Sequence, residues 1–184
     1  MPKGSSGKSG KIPAGRRINV VIKDEKRASS RVARALTDHK IAAVQAFPEL
    51  KGTMYNELNK LTEAKFSKSS VLGFYQPGAK KITINERIVG DESQVRKTVA
   101  HELGHALTAT TRSGFNSTTT AFNRAYKEYK ETHPRATQKK FASTISSYAK
   151  TAKSEAFAEA FMDFTINGKN AAVASKLIIK HWRK

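Results

Sequence analysis

The chain has 184 residues, enough for one domain of ordinary size, and the absence of cysteine excludes disulfide scaffolds, cysteine-based zinc ribbons and cysteine nucleophiles. Its 34 Lys and Arg against 15 Asp and Glu give a formal net charge of +19, which fits either a surface for nucleic acid or another polyanion, or general solubility. No apolar run reaches the roughly 18 residues of a membrane span, and we expect no signal peptide, which leaves the compartment open.

The N-terminal quarter begins with a segment that differs in composition from the rest. Residues 1–17 are rich in Gly, Ser, Lys and Pro and predict a flexible basic tail, followed by a single domain at 18–184. Residues 18–23 are mostly β-branched and predict a first strand, and apolar side chains at helical spacing predict a helix at 29–46. Pro48 is expected to open another helical stretch. Its buried stripe would consist of Leu50, Met54, Leu58 and Leu61.

A hairpin is predicted next. Residues 71–75 and 81–85 flank the turn sequence QPGAK, which is typical of an antiparallel pair of strands. Ile82 and Ile84 alternate with polar residues, so we expect the second strand to be half-buried.

The remaining pattern is mainly helical. Asp91 is a suitable N-cap for a helix that runs to about residue 110, and a polar loop is expected at 113–120. Gly168 should separate the last two helices. A small β element followed by a helical second half predicts the α+β class. The predicted C-terminal helices cover 118–131, 136–147, 153–166 and 170–183.

The candidate chemistry lies in the sequence HELGH at 101–105. On a helix, His101 and His105 lie about 40° apart around the axis, so both rings can bind one Zn²⁺. Glu102 would flank the ion without binding it, where a general base can take a proton from a metal-activated water. Gly104 leaves room for another backbone to approach. The alternative is an exposed helix face without function. The opposite, buried stripe would be Val95, Val99, Leu103 and Leu107.

A catalytic zinc site needs a third protein ligand. Of the other histidines, His39, His133 and His181 lie in segments that predict solvated surface positions. Glu155 and Glu159 are better candidates because they are four residues apart in an apolar segment, where carboxylates need a partner. One could bind zinc while the other accepts the free N–H of a ligand histidine. The alternative is an exposed acidic stripe.

Together, HELGH at 101–105, Ser147-Tyr148 and EAFAEAF at 155–161 resemble the catalytic domain of anthrax-toxin lethal factor and its relatives, which are zincins of the gluzincin type. The resemblance covers roughly residues 71–164. It implies a zincin-like fold, in which a small sheet with the hairpin lies over the HExxH helix. The hairpin would form the edge strand beside the cleft, where an extended substrate could pair.

The resemblance also implies roles for single residues. Glu155 would be the third zinc ligand and Glu159 would support a ligand histidine. Tyr148 would assist catalysis by a hydrogen bond near the reacting oxygen or the leaving group. The chain is far shorter than the full toxin, so target selection does not carry over.

We therefore predict a zinc-dependent endopeptidase that cleaves a protein or peptide. The alternative is a basic, virion-associated or nucleic-acid-binding protein on a zincin scaffold, which would contact a polyanion through its basic termini. Small zincins of this type also occur in phages and bacterial toxin systems, so a packaged or delivered effector is a further hypothesis. The segment 170–183 is expected to pack against the domain, with binding to a membrane surface as the alternative.

Overall fold

The computed structural model describes residues 22–50, 58, 60–66, 70–109 and 115–183. The predicted tail, most of the first predicted strand and Met54 lie outside these residues. Within them the protein is α+β and mostly helical, with six α-helices and one mixed sheet of four strands. The strands are β1 (Ile22–Arg27), β2 (Lys60–Phe66), β3 (Gly73–Gln76) and β4 (Lys81–Asn85). The helices are α1 (Ser30–Ala46), α2 (Glu92–Thr108), α3 (Thr118–Thr132), α4 (Gln138–Ser143), α5 (Lys153–Asn167) and α6 (Val173–Trp182).

The sheet has the strand order β1-β2-β4-β3, with β2 parallel to β4 and both outer pairs antiparallel. The predicted hairpin is confirmed as β3 and β4. Lys80, at φ +48°, occupies the left-handed position of the turn, and its N–H donates to the Pro77 carbonyl. The expected half-burial of β4 is wrong, because this strand is interior to the sheet and Ile82, Thr83 and Ile84 are all fully buried.

The strand β2 corrects the prediction of a helical stretch that continues from Pro48 to Leu61. Pro48–Leu50 forms a single 3₁₀ turn, and Leu61 lies in the strand, where it pairs with Ile82 of β4. The sequence KLTEAKF contains good helix formers, but pairing with β1 on one side and β4 on the other outweighs that local preference. Buried Glu63 ties this strand to α1, because its carboxylate accepts the backbone N–H of Ser29.

The helix α2 forms as predicted. The Asp91 side chain accepts the backbone N–H of Gln94 and so caps the N-terminus. The predicted stripe packs in the core and holds the opposite face of the helix toward α5. The buried members of this stripe are Val95, Val99, Leu103 and Leu107.

The C-terminal helices differ from the prediction in two places. α6 begins at Val173 rather than at residue 170, because Gly168–Asn170 forms a separate 3₁₀ turn. α4 ends at Ser143 rather than near residue 147, because the following Ser and Thr side chains bond to nearby backbone instead. Ser146 Oγ, for example, accepts the N–H groups of Tyr148 and Ala149. Gly168 ends α5 at φ +53°, as expected of a glycine stop. In the described part of the chain, no helix combines the length and apolar character needed to cross a membrane.

The expected packing of the last helix is confirmed. α6 lies against α3 and α5, and Trp182 is buried at their junction. The ring centroid of Trp182 lies 4.2 Å from the ring centroid of Phe115, 5.1 Å from that of Phe157 and 5.4 Å from that of Phe47. These contacts give α5 a second packing partner besides α2.

Candidate metal centre

Three side chains from α2 and α5 converge at one point. The Nε2 atoms of His101 and His105 are 3.1 Å apart, and Oε2 of Glu155 lies 3.2 Å from the first and 3.1 Å from the second. Donors about 2.1 Å from one tetrahedral ion lie roughly 3.4 Å apart, so this spacing fits a shared ion. The three residues therefore form a group that could hold a metal ion.

The two helices meet because α2 has a glycine at the contact. A Cβ atom on Gly104 would lie only 2.8 Å from Cα of Ala158 and 3.2 Å from its Cβ. Any larger residue would therefore hold α5 further from α2. The close approach brings the carboxylates of α5 to the histidine face of α2, as the sequence predicted for this glycine.

The second glutamate of α5 contacts the outer nitrogen of a histidine. Oε1 of Glu159 lies 2.7 Å from Nδ1 of His101, and the Ser146 side chain bonds to the same carboxylate. Because Glu159 accepts the Nδ1–H group, Nε2 is the nitrogen of His101 that faces Glu155 and His105. This is the contact predicted for one of the two glutamates. Neither belongs to an exposed acidic stripe, since both side chains are mostly covered.

The electrostatics of the three-residue group are set by these contacts. Burial alone would lower the pKa of His101, but the bonds from Glu155 and Glu159 outweigh it and raise the pKa to about 10. Burial would raise the pKa of Glu155, but its bonds to the two histidines lower it to about 2. These contacts therefore favour the protonated form of the His101 ring, which lies between two carboxylates.

A third carboxylate lies beside the group without joining it. Glu102 is only 5% exposed, and burial raises its pKa against the opposing effect of the neighbouring histidines. The backbone of Tyr75 in β3 bonds to this carboxylate, so Glu102 lies between α2 and the edge of the sheet. A buried carboxylate with a raised pKa beside a candidate metal site is suited to accept and return protons.

Tyr148 lies at the rim of the group. Its ring centroid is 5.8 Å from that of His101, and its side chain is 51% exposed. The turn that precedes α5 carries it there. All six predicted site residues are thus gathered in one region by α2, α5 and this turn: His101, Glu102, His105, Tyr148, Glu155 and Glu159.

Two contacts at the site were not predicted, the Ser146 bond to Glu159 and the Tyr75 backbone bond to Glu102. Neither has a sequence signal, because the first depends on how the turn before α5 folds back and the second on the docking of β3 against α2. Both follow from tertiary packing.

The three remaining histidines lie away from the site. His133 is exposed as predicted and stacks on Tyr129 with ring centroids 4.1 Å apart. The solvated position predicted for His39 is wrong, because it is 8% exposed in the contact between α1 and α2. Its spacing from buried Leu36 and Ala43 was the signal for this burial. His181 is half-buried and contacts Glu128 at 2.6 Å rather than facing solvent.

Comparison with known proteins adds no relative: no family model matches the chain, and searches of curated proteins and of solved structures find no match. The resemblance to lethal-factor-type zincins thus depends on the sequence motifs. The arrangement of the side chains is therefore the basis for assigning a function.

Proposed function

We propose that this protein is a zinc-dependent endopeptidase. The observation that carries the proposal is the convergence of two imidazole nitrogens and one carboxylate oxygen beside a separate, buried carboxylate. Two histidines and one glutamate are a common ligand set of catalytic zinc, whereas Mg²⁺ and Ca²⁺ prefer oxygen ligands. When bound, Zn²⁺ supplies a Lewis acid that lowers the pKa of a water molecule and polarises a carbonyl.

The ligands in this proposal are His101, His105 and Glu155. Glu159 holds the ring of His101 in the tautomer and orientation that a ligand needs, because it accepts the Nδ1–H at 2.7 Å. Gly104 keeps the two ligand helices at their short separation.

Glu102 is the proposed general base. It accepts a proton from the attacking water while the oxygen of that water forms a bond to the peptide carbonyl carbon. The C–N bond then breaks, and Glu102 passes the proton to the leaving amine. Its burial favours the protonated form, which suits a group that must hold a proton between these two steps. Tyr148 donates a hydrogen bond from its phenol to the developing oxyanion or the leaving amine.

The sheet offers a way to bind an extended substrate. Among the strands that the structure describes, β3 is the outermost at its end of the sheet, and the Tyr75 backbone in this strand bonds to Glu102. A peptide that pairs with the outer side of β3 would run past the general base. This arrangement favours a protein or peptide substrate over a small molecule.

The test combines metal analysis with peptide cleavage. Zinc-loaded protein is incubated with a diverse peptide mixture, and new termini are identified by mass spectrometry. Glu102→Gln should retain one zinc per chain but lower turnover by about 10²–10⁴-fold, because only the base is lost. Glu92→Gln, on the exposed first turn of the same helix, is the matched control and should keep full activity.

Two results would contradict the proposal. If the wild-type protein binds no zinc, the proposal loses its basis. If the Glu102→Gln variant cleaves peptides as fast as wild type, the general base is another group. Glu155→Gln should bind zinc weakly. Unchanged zinc stoichiometry and affinity in that variant would exclude Glu155 as a ligand.

A further inference from the structure

The two segments that border the metal centre contain cations and no acidic residue. The β3–β4 hairpin at 73–85 has two lysines, and the segment 132–154, which leads from α3 to α5, has five lysines and arginines. Neither has an Asp or Glu. The cations are Lys80, Lys81, Arg135, Lys139, Lys140, Lys150 and Lys153.

Both segments reach the site itself. The hairpin contacts it through the Tyr75 backbone at Glu102, and the second segment contacts it through Tyr148 at His101. Lys150 is exposed and follows Tyr148 by two residues, so their Cα atoms are at most roughly 7 Å apart. Cationic segments therefore border the metal centre on two sides.

The nearby acids do not offset these cations toward a substrate. Glu155 and Glu159 are engaged by the two histidines, and Glu102 is buried against β3. Lys81 is neutralised by Glu25 at 2.8 Å, but Lys153 bonds to an uncharged amide, Asn123, and keeps its charge. The two bordering segments therefore carry an excess of positive charge, which includes exposed Lys150 beside Tyr148, in agreement with the net charge of +19.

We infer that the substrate is an acidic peptide segment, with Asp or Glu on either side of the cleaved bond. This inference rests on the proposed peptidase function and names its substrate class. The cations attract such a segment and raise its rate of association. A peptide is favoured over nucleic acid because β3, which lies at the edge of the described sheet beside Glu102, can pair with another peptide strand.

The experiment compares three peptide sets with the same central residues and with acidic, neutral or basic flanks. Zinc-loaded protein at low ionic strength should cleave the acidic set with a kcat/KM at least about tenfold above that of the basic set. The ratio should fall toward one as salt is added, because exposed charges are screened.

Charge reversal tests the assignment to this surface. Lys150→Glu should lower kcat/KM for the acidic set about threefold to tenfold and raise it for the basic set. Lys169→Glu is the matched control. It makes the same change in net charge beyond the far end of α5, more than about 18 Å along the helix from Glu155. It should therefore leave the ratio of kcat/KM between the acidic and the basic set unchanged.

The outcomes separate the two claims. Cleavage of all three sets at equal rates, or a preference for basic flanks, overturns this inference and leaves the peptidase proposal intact. Cleavage of none overturns the peptidase proposal and the inference with it. If duplex DNA binds, Lys150→Glu weakens that binding, and acidic peptides are cleaved no faster than neutral ones, the surface belongs to nucleic acid and the inference is wrong.

Discussion

Replacement of Gly104 by alanine is expected to push α5 away from α2 and to weaken metal binding. The added Cβ would lie 2.8 Å from Cα of Ala158, whereas ordinary van der Waals contact begins at 3.4 Å. The overlap is about 0.6 Å, and it involves backbone, so a rotamer change cannot relieve it. The helix that carries Glu155 and Glu159 must move instead.

The cost can be divided into two parts. Overpacking of this size destabilises by about 1–3 kcal/mol. Alanine recovers about 1 kcal/mol through its higher helix propensity, so the net loss in free energy of unfolding is about 0–2 kcal/mol. Zinc affinity is the more sensitive quantity, because a shift of about half an ångström separates Glu155 from the two histidines. We expect the zinc affinity of Gly104→Ala to fall about 10–100-fold.

Competition with a chromophoric chelator measures the affinity, and urea unfolding of the metal-free protein measures the stability. Gly90→Ala is the control, since a Cβ there meets nothing within 4 Å and the backbone is not left-handed. If Gly104→Ala bound zinc as tightly as wild type, the contact between Gly104 and Ala158 would not set the geometry of the site.

Three further predictions concern single residues. After correction for the proton that zinc displaces from His101, Glu159→Gln should lower zinc affinity about tenfold, because the charge that holds the His101 ring is lost; equal corrected affinity in the chelator assay would contradict this role. Burial lowers the pKa of His39 below its usual 6.5, so the stability that the neutral ring contributes is present above about pH 6.5 and is lost as the pH falls through the folded-state pKa. In urea unfolding of the metal-free protein at about pH 7.5 and 5.5, His39→Leu should therefore lose less stability than wild type on acidification. If wild type and His39→Leu lose the same free energy of unfolding on acidification, this pH dependence does not come from His39. Gly168→Ala should destabilise by about 1 kcal/mol or more, because φ of +53° with ψ of −120° suits only glycine, and an unchanged melting temperature would argue against that strain.

The site could be predicted in large part because its signals are local. His101 and His105 share one face of one helix by spacing alone, and Asp91 marks where that helix begins. The spacing of Glu155 and Glu159 works in the same way on α5. Only the meeting of the two helices is non-local, and the glycine at 104 indicated that a second backbone would approach there.

The sheet was harder to predict because its strands depend on partners that are distant in the chain. Leu61 lies in a segment of good helix formers, and only its pairing with β4 makes it part of a strand. The burial of Thr83 likewise depends on β4 lying between β2 and β3, an order that no local pattern encodes. The polar neighbours of His39 predict a surface position, although its own helical spacing points to the core.

The carboxylates that contact the proposed metal ligands also favour a proton on His101 when no ion is bound. Glu155 and Glu159 outweigh burial and raise the pKa of His101 to about 10, whereas Glu155, with a pKa of about 2, stays ionised. A ligand histidine must be neutral, so zinc has to displace this proton. Apparent zinc affinity should therefore rise about tenfold per pH unit between about pH 8 and 9, measured with free zinc set by a chelator buffer. Glu159→Gln removes one of the charges that stabilise the proton and should flatten this rise. A flat wild-type profile would mean that His101 is already neutral, and that the two carboxylates do not compete with the metal for it.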